Sequence, residues 1–256
     1  MNKPVKWMRR GALFLAGALC AGGVGASVLF YENWSEEAAE QAIVLEPERE
    51  KSSAVSAEPP VPFEALLEEN ADVKAWLEIP GTGISYPVVQ AADNETYLHR
   101  DFHGDENAAG SIFLDYASDP DCKGAHSVFY GHHMRNGSMF AELVRFKEKD
   151  YYEDHREITL YLPEETLYLR TIGTVVSDSS GVRRRTDFAS KEELTAYAEV
   201  MTENCLFREL PEEEIESLYS FVTCSYEFED ARTILYAVRE PESGVAEGNR
   251  QDADMK

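Results

Sequence analysis

Hydrophobic positions follow three different patterns along the chain. Residues 11–30 run for twenty positions without a charge. As a helix rising 1.5 Å per residue they would span about 30 Å, the thickness of a bilayer's hydrocarbon core. Residues 31–61 are rich in Glu, Ala, Ser and Pro and end in Glu58-Pro59-Pro60-Val61, which reads as a solvated stalk. From residue 62 to residue 240 the apolar positions fall into short blocks. Residues 63–70 have the spacing of a short helix. From Trp76 onward come eight runs rich in Ile, Val, Tyr, Phe and Thr, at 75–79, 84–89, 111–116, 127–131, 158–162, 166–176, 218–224 and 233–238. Turn signals such as Pro80-Gly81 and Pro163-Glu164 separate them, so they are predicted strands. Two stretches break the β pattern with helical spacing, 138–146 and 190–205; in the second, Ser190 followed by Glu193 is an N-capping signature. The expectation is a mainly β fold, an eight-stranded β-barrel with an N-terminal helix and helical insertions. Residues 241–256 form a polar tail.

Composition narrows the function more than the fold. Of 256 residues, 43% are hydrophobic and 11% aromatic, enough for a packed core. The net charge of −24 argues against a nucleic-acid partner, which requires Lys and Arg to neutralise phosphates. Four cysteines are too few for a disulfide-built mini-protein. Charge is spread unevenly: +4 on residues 1–30, −6 on 31–61, −20 on 62–240 and −2 on 241–256. Lys3, Lys6, Arg9 and Arg10 ahead of the apolar run, with acids behind it, predict a single-pass membrane anchor with its N-terminus in the cytoplasm and residues 62–240 outside. A cleaved signal peptide ending near Val24-Gly25-Ala26 is the competing reading. The anchor is preferred because Val28, Leu29 and Phe30 continue the apolar run past that point. Cys20 does not read as a lipoprotein cysteine, since Leu19 precedes it where a small residue is expected.

Candidate chemistry starts from the cysteines. Cys122, Cys205 and Cys224 lie outside the apolar segment, an odd number that leaves at least one thiol without a partner in the chain. Cys224 ends an apolar strand just before a turn, where a side chain can be reached; a nucleophilic thiol also needs a base or a cation beside it. His132 and His133 follow Tyr130-Gly131 at the end of another strand. Arg232 opens the strand after Cys224, so a hairpin would set the two side by side and let the cation stabilise a thiolate or an oxyanion. Each residue has a plainer reading: His132 and His133 as loop residues, Cys224 as packing, Arg232 in an ion pair with Glu227, Glu229 or Asp230. A metal site from His126, His132 and His133 has no supporting motif.

Together these residues carry a resemblance. Asn70-Ala71-Asp72-Val73-Lys74-Ala75-Trp76-Leu77-Glu78-Ile79-Pro80-Gly81-Thr82, Ile84-Ser85-Tyr86-Pro87-Val88-Val89-Gln90, Asp93-Asn94-Glu95-Thr96-Tyr97-Leu98 and Gly110-Ser111-Ile112-Phe113-Leu114-Asp115 come first. Tyr130-Gly131-His132-His133-Met134 runs on through Arg135-Asn136-Gly137-Ser138-Met139-Phe140, and Thr223-Cys224-Ser225-Tyr226 precedes Arg232. In this order the motifs resemble a class B sortase, a Gram-positive cell-surface cysteine transpeptidase, over about residues 63–240.

The resemblance implies a sortase barrel with Cys224 as nucleophile, His132 as the acid–base and Arg232 as the oxyanion donor. It assigns substrate binding to Asn94 and Leu98 in a groove, and to Thr223, Ser225 and Tyr226 beside the nucleophile. It implies exported proteins bearing a C-terminal sorting signal as substrates, an amine of a peptidoglycan precursor or another surface protein as acceptor, and no cofactor or metal. Two positions depart from the family pattern. Val222 stands where a Ser is common, and the loop 177–187 lacks the Tyr usual near the substrate. That loop carries Arg183, Arg184 and Arg185 instead, read here as a solvated loop with steering of an acidic partner as the sharper alternative. Two other classes of function compete: a secreted cysteine peptidase or cell-wall hydrolase, and a non-enzymatic surface-anchored β-domain. An L,D-transpeptidase fits less well, because its His and Cys lie close together in sequence.

Overall fold

The computed structural model describes residues 61–240 apart from Arg183. The expected anchor, most of the expected stalk and the tail lie outside these described residues. Among them no helix is long and apolar enough to cross a membrane.

The strands are β1 (Val73–Glu78), β2 (Ser85–Val89), β3 (Ile112–Leu114), β4 (His126–Tyr130), β5 (Glu157–Tyr161), β6 (Thr166–Asp178), β7 (Leu218–Cys224) and β8 (Ala231–Arg239). They close into a barrel in the order β1-β2-β3-β4-β7-β8-β6-β5, with β5 returning to β1. The β2–β3 and β4–β7 pairs are parallel and the others antiparallel. All eight predicted strands are present.

Alternation along each strand explains why the sheet closes. Side chains on a strand point to opposite faces at every step. On β7, Tyr219 and Phe221 join Leu77, Leu114, Phe129 and Leu235 in the main core, where Phe129 and Phe221 stack at 5.0 Å. Leu218 and Val222, the alternate positions, pack with Leu194, Ala198 and Ile234 in a second cluster. A third cluster joins Phe63 and Leu66 to Trp76, Val89 and Phe113. Burying each such side chain contributes about 1.5–3 kcal/mol, so both faces of the β4–β7–β8 sheet are hydrophobically anchored.

Among the described residues three α-helices decorate the barrel: α1 (Phe63–Glu69), α2 (Lys149–Asp154) and α3 (Lys191–Thr202). A 12-residue helix is marginal alone, so burial of Leu194 and Ala198 holds α3 in place. Its cap is the predicted one, with Ser190 Oγ accepting from Glu193 N–H. The Glu193 carboxylate does not close a capping box; it accepts from Ala189 N–H at 2.7 Å. The expected helix at 138–146 is a 3₁₀ helix, Ala141–Lys147. It leads directly into α2, which is too short for a helical period to show in the sequence.

Candidate active site

Topology brings three distant parts of the chain to one end of the barrel. Strands β4 and β7 run parallel with Tyr130 opposite Val222, so both end at the same rim. Strand β8 returns antiparallel with Cys224 directly opposite Arg232. Directly paired residues share a sheet face with Cβ atoms about 4.5–5.5 Å apart. Cys224 is half-buried. The Arg232 guanidinium pairs with Asp230 at 2.9 Å through Nη2 and donates to its neighbour's carbonyl, Ala231 O, through Nη1. The plainer reading of Arg232 as an ion-pair partner is therefore met, and the side chain also lines the cleft described below.

The histidine segment is held tightly against β7. A Cβ on Gly131 would lie 2.4 Å from Ile112 Cδ1 and 2.8 Å from the Phe140 ring, so only glycine passes there without displacing the core. Gly131 N–H donates to Val222 O, and Thr223 Oγ1 donates to Gly131 O at 2.9 Å. Immediately beyond, His132 Nε2 is 2.9 Å from Leu98 O. A carbonyl has no proton to give, so Nε2 carries the hydrogen and Nδ1 is left as the nitrogen for proton transfer. His133 is placed differently: its Nδ1–H donates to Cys224 O at 3.0 Å, and its ring lies 5.1 Å from that of Tyr226.

Next to Arg232 opens a cleft of about 270 Å³. Asn94, Glu95 and Leu98 line it from the segment before β3, and Phe113, Tyr130 and Val222 from the strands. Ser179, Val182 and Arg184 line it from the connection between β6 and α3. Asp115 organises one part of it while fully buried. Its Oδ2 accepts from Asn94 Nδ2 at 2.9 Å and from the Tyr130 hydroxyl at 3.0 Å, and its Oδ1 from Ala117 N–H at 2.9 Å. Burial and this carboxylate push the Tyr130 phenol well above its ordinary range, so Tyr130 acts as a proton donor to Asp115.

Of the residues singled out from sequence, Asn94, Leu98 and Arg232 line the cleft, and Cys224 is paired with the last of these. Thr223 and Ser225 are 2% and 4% exposed; Thr223 spends its hydroxyl on Gly131, and Ser225 N–H donates to Ala231 O. Tyr226 is 75% exposed on the His133 side. His126 is apart from His132 and His133, with Nδ1 on Arg185 O and Nε2 on Ser220 Oγ. Among the described residues no cluster of His, Cys, Asp and Glu could hold a metal. Cys122, Cys205 and Cys224 are all free thiols, and burial pushes Cys122 and Cys205 up to about 12. Sequence reasoning missed the main-chain anchor at Leu98 and the bond from His133, neither of which has a residue-type signal. It saw the arginine cluster but not that Arg184 faces the cleft.

Residues 77–240 match the family model described as the sortase domain. The chain belongs to the sortase family. Two curated relatives are both named sortase B: the Listeria monocytogenes protein is 40% identical over 90 residues, covering 35% of this chain and 37% of that one. The Staphylococcus aureus protein is 29% identical over 131 residues, covering 51% and 54%. The matched segments thus span about a third to a half of these curated relatives. Among solved structures, Clostridium perfringens sortase B superposes with a TM-score of 0.65 at 28% identity, covering 70% of this chain and all of that one. The closed eight-stranded barrel of this sortase therefore matches that of class B sortases.

Proposed function

We propose that the protein is a cysteine transpeptidase that cleaves a sorting signal of exported proteins and passes the acyl group to an amine. The carrying observation is the pairing of Cys224 with Arg232 across β7 and β8, beside a cleft lined by Asn94 and Leu98 and at the rim where β4 delivers His132.

In the first half-reaction the Cys224 thiolate attacks the scissile carbonyl. The oxyanion that develops accepts hydrogen bonds from Arg232, whose neighbour Asp230 steadies the guanidinium without filling all five of its donors. As the tetrahedral species collapses, the C–N bond breaks and His132 Nδ1 protonates the leaving amine, leaving a thioester on Cys224. In the second half the acceptor amine attacks that thioester, His132 takes its proton, and the thiolate departs as the new amide forms. One amide replaces another, so the exchange needs no energy-rich co-reactant. The bond from His132 Nε2–H to Leu98 O fixes the ring through both halves.

The enzyme would work at the cell surface, anchored through residues 11–30, with a peptidoglycan precursor or a second surface protein supplying the amine. Intact-mass spectrometry of the purified protein with a library of sorting-signal peptides tests the reading. A thioacyl adduct that added amine resolves into an amide, and that Cys224→Ala abolishes, is expected. Release of the free acid alone in the presence of amine would make the protein a peptidase instead, and a folded protein with an unreactive Cys224 would leave only a surface β-domain.

A further inference from the structure

The cleft beside Cys224 is lined by a second guanidinium that catalysis does not use. Arg184 enters it from the connection between β6 and α3, and its side chain is 54% exposed. The connection is fixed in place. His126, buried in the sheet, donates Nδ1–H to Arg185 O at 2.9 Å, while the Arg185 side chain is engaged by Glu193 and lies over the Phe188 ring at 4.4 Å. The two neighbouring arginines therefore have different work: Arg185 holds the connection, and Arg184 faces the cleft.

The partners of Arg184 leave most of its hydrogen-bond donors open to the cleft. Asp115 Oδ2 is 4.0 Å from Arg184 Nη1, outside hydrogen-bond range, and already accepts from Asn94 and Tyr130. The Tyr130 hydroxyl beside it accepts one hydrogen bond from the guanidinium. Asp115 thus holds the guanidinium over the cleft without satisfying its planar fork of donors, the part suited to gripping a carboxylate through two parallel bonds. Glu95 is exposed on the cleft lining contributed by the segment before β3 and belongs to the same lining; an incoming anion would favour the Arg184 side and a cation the Glu95 side. Val222, apolar and next in line toward Cys224, offers no competing polar contact.

We propose that Arg184 selects sorting signals carrying an acidic side chain on the stretch that lies in the cleft, pairing its guanidinium with the substrate carboxylate. The inference rests on the transpeptidase reading and adds the charge of the substrate to it.

The experiment is a peptide series in which each position of a reactive sorting signal is occupied in turn by Glu, Gln or Lys. The rate of acyl-enzyme formation on Cys224 is measured for the wild type, Arg184→Gln, Arg184→Glu and Arg184→Lys. At one position the wild type should prefer Glu to its isostere Gln by about tenfold at low salt, a margin that narrows as ionic strength screens the pair. Arg184→Gln should bring the Glu-to-Gln ratio near one, Arg184→Glu should invert the order in favour of Lys, and Arg184→Lys should keep part of the preference. Melting curves establish that each variant is folded, and the ratio within one variant cancels any loss of overall rate. Peptides that acylate Cys224 with no acidic preference, or with a preference unchanged in Arg184→Gln, overturn this inference alone. Failure of every peptide to acylate the wild type overturns the transpeptidase reading beneath it.

Discussion

His126 makes the stability of the barrel depend on pH in a window where few other groups titrate. It sits on β4 with both ring nitrogens engaged, Nδ1–H on Arg185 O and Nε2 accepting from Ser220 Oγ, and its side chain is almost entirely buried. Desolvation, only partly offset by the Arg185 carbonyl and the Asp115 charge, pushes its imidazolium down to about 4 from 6.5. The folded state therefore keeps His126 neutral while the unfolded chain binds a proton below about 6.5. The stability from neutral His126 is complete above pH 7 and lost as the pH falls through 6.5 toward 4. Linkage gives a loss of about 1 kcal/mol at pH 5.5 and about 2 kcal/mol at pH 5, with a ceiling near 3 kcal/mol. Urea titrations at half-unit steps from pH 7.5 to 5 should show this fall in the wild type. The same series on His126→Gln removes the titrating group while the other histidines and the carboxylates remain, so the difference between the two curves isolates His126. The variant should be less stable at pH 7.5 by about 1–3 kcal/mol, since Gln cannot remake both bonds in place. The two curves should converge as the pH drops. Parallel curves over this window would refute the reasoning and require His126 to titrate at its ordinary value while buried.

Gly131→Ala forces a Cβ into Ile112 and Phe140 and should cost about 1–3 kcal/mol of stability by overpacking; a melt indistinguishable from wild type would mean the rim can relax. His132→Ala should reduce acyl-enzyme formation by at least about a hundredfold, while His133→Ala, which loses only the bond to Cys224 O, should retain most of it; the reverse order in single-turnover assays would assign the acid–base role to His133. Arg232→Ala should lower kcat by about 100- to 1,000-fold with an intact fold, and a change confined to KM would limit Arg232 to substrate binding. Brief alkylation followed by peptide mapping should modify Cys224 before Cys122, which is buried, and Cys205, which is half-buried, since burial pushes both thiols up to about 12; early labelling of Cys122 would contradict its burial.

Much of the barrel was legible because a strand covered on both sides reads as a short, nearly continuous apolar run bounded by turn residues, as Leu218, Tyr219, Phe221 and Val222 do. The helical insertions were less so. Residues 149–154 form α2 through Tyr151 and Tyr152 packing on Phe146, a tertiary contact with no periodic trace in six residues. In the site, residue type and position at strand ends made Cys224, Arg232 and the pair His132 and His133 candidates, and only the family resemblance chose His132 between the two histidines. Thr223 illustrates the opposite case. Its neighbour is the proposed nucleophile, yet strand parity turns its own hydroxyl onto Gly131, and nothing in its residue type distinguishes a clasp from a substrate contact.

That clasp shows how the fold turns a fixed register into a reactive geometry. The histidine segment follows β4 by two residues and the cysteine closes β7, so their relative placement is decided by the parallel register that sets Tyr130 opposite Val222. A slip of one residue would turn Cys224 to the opposite sheet face. The register is held by Phe129 on Phe221 within the barrel, by Val128 and Val222 in the cluster under α3, and at the rim by the Val222 and Thr223 bonds to Gly131. Core packing and hydrogen bonding therefore converge on the last two residues before Cys224. The Leu98 carbonyl then fixes the ring that the register has delivered. The residues that would aim the proposed chemistry are mostly not the ones that would perform it: Leu98 and Val222 act through backbone carbonyls that a substitution at their own positions would shift rather than remove, and Thr223 through a hydroxyl that a substitution would remove.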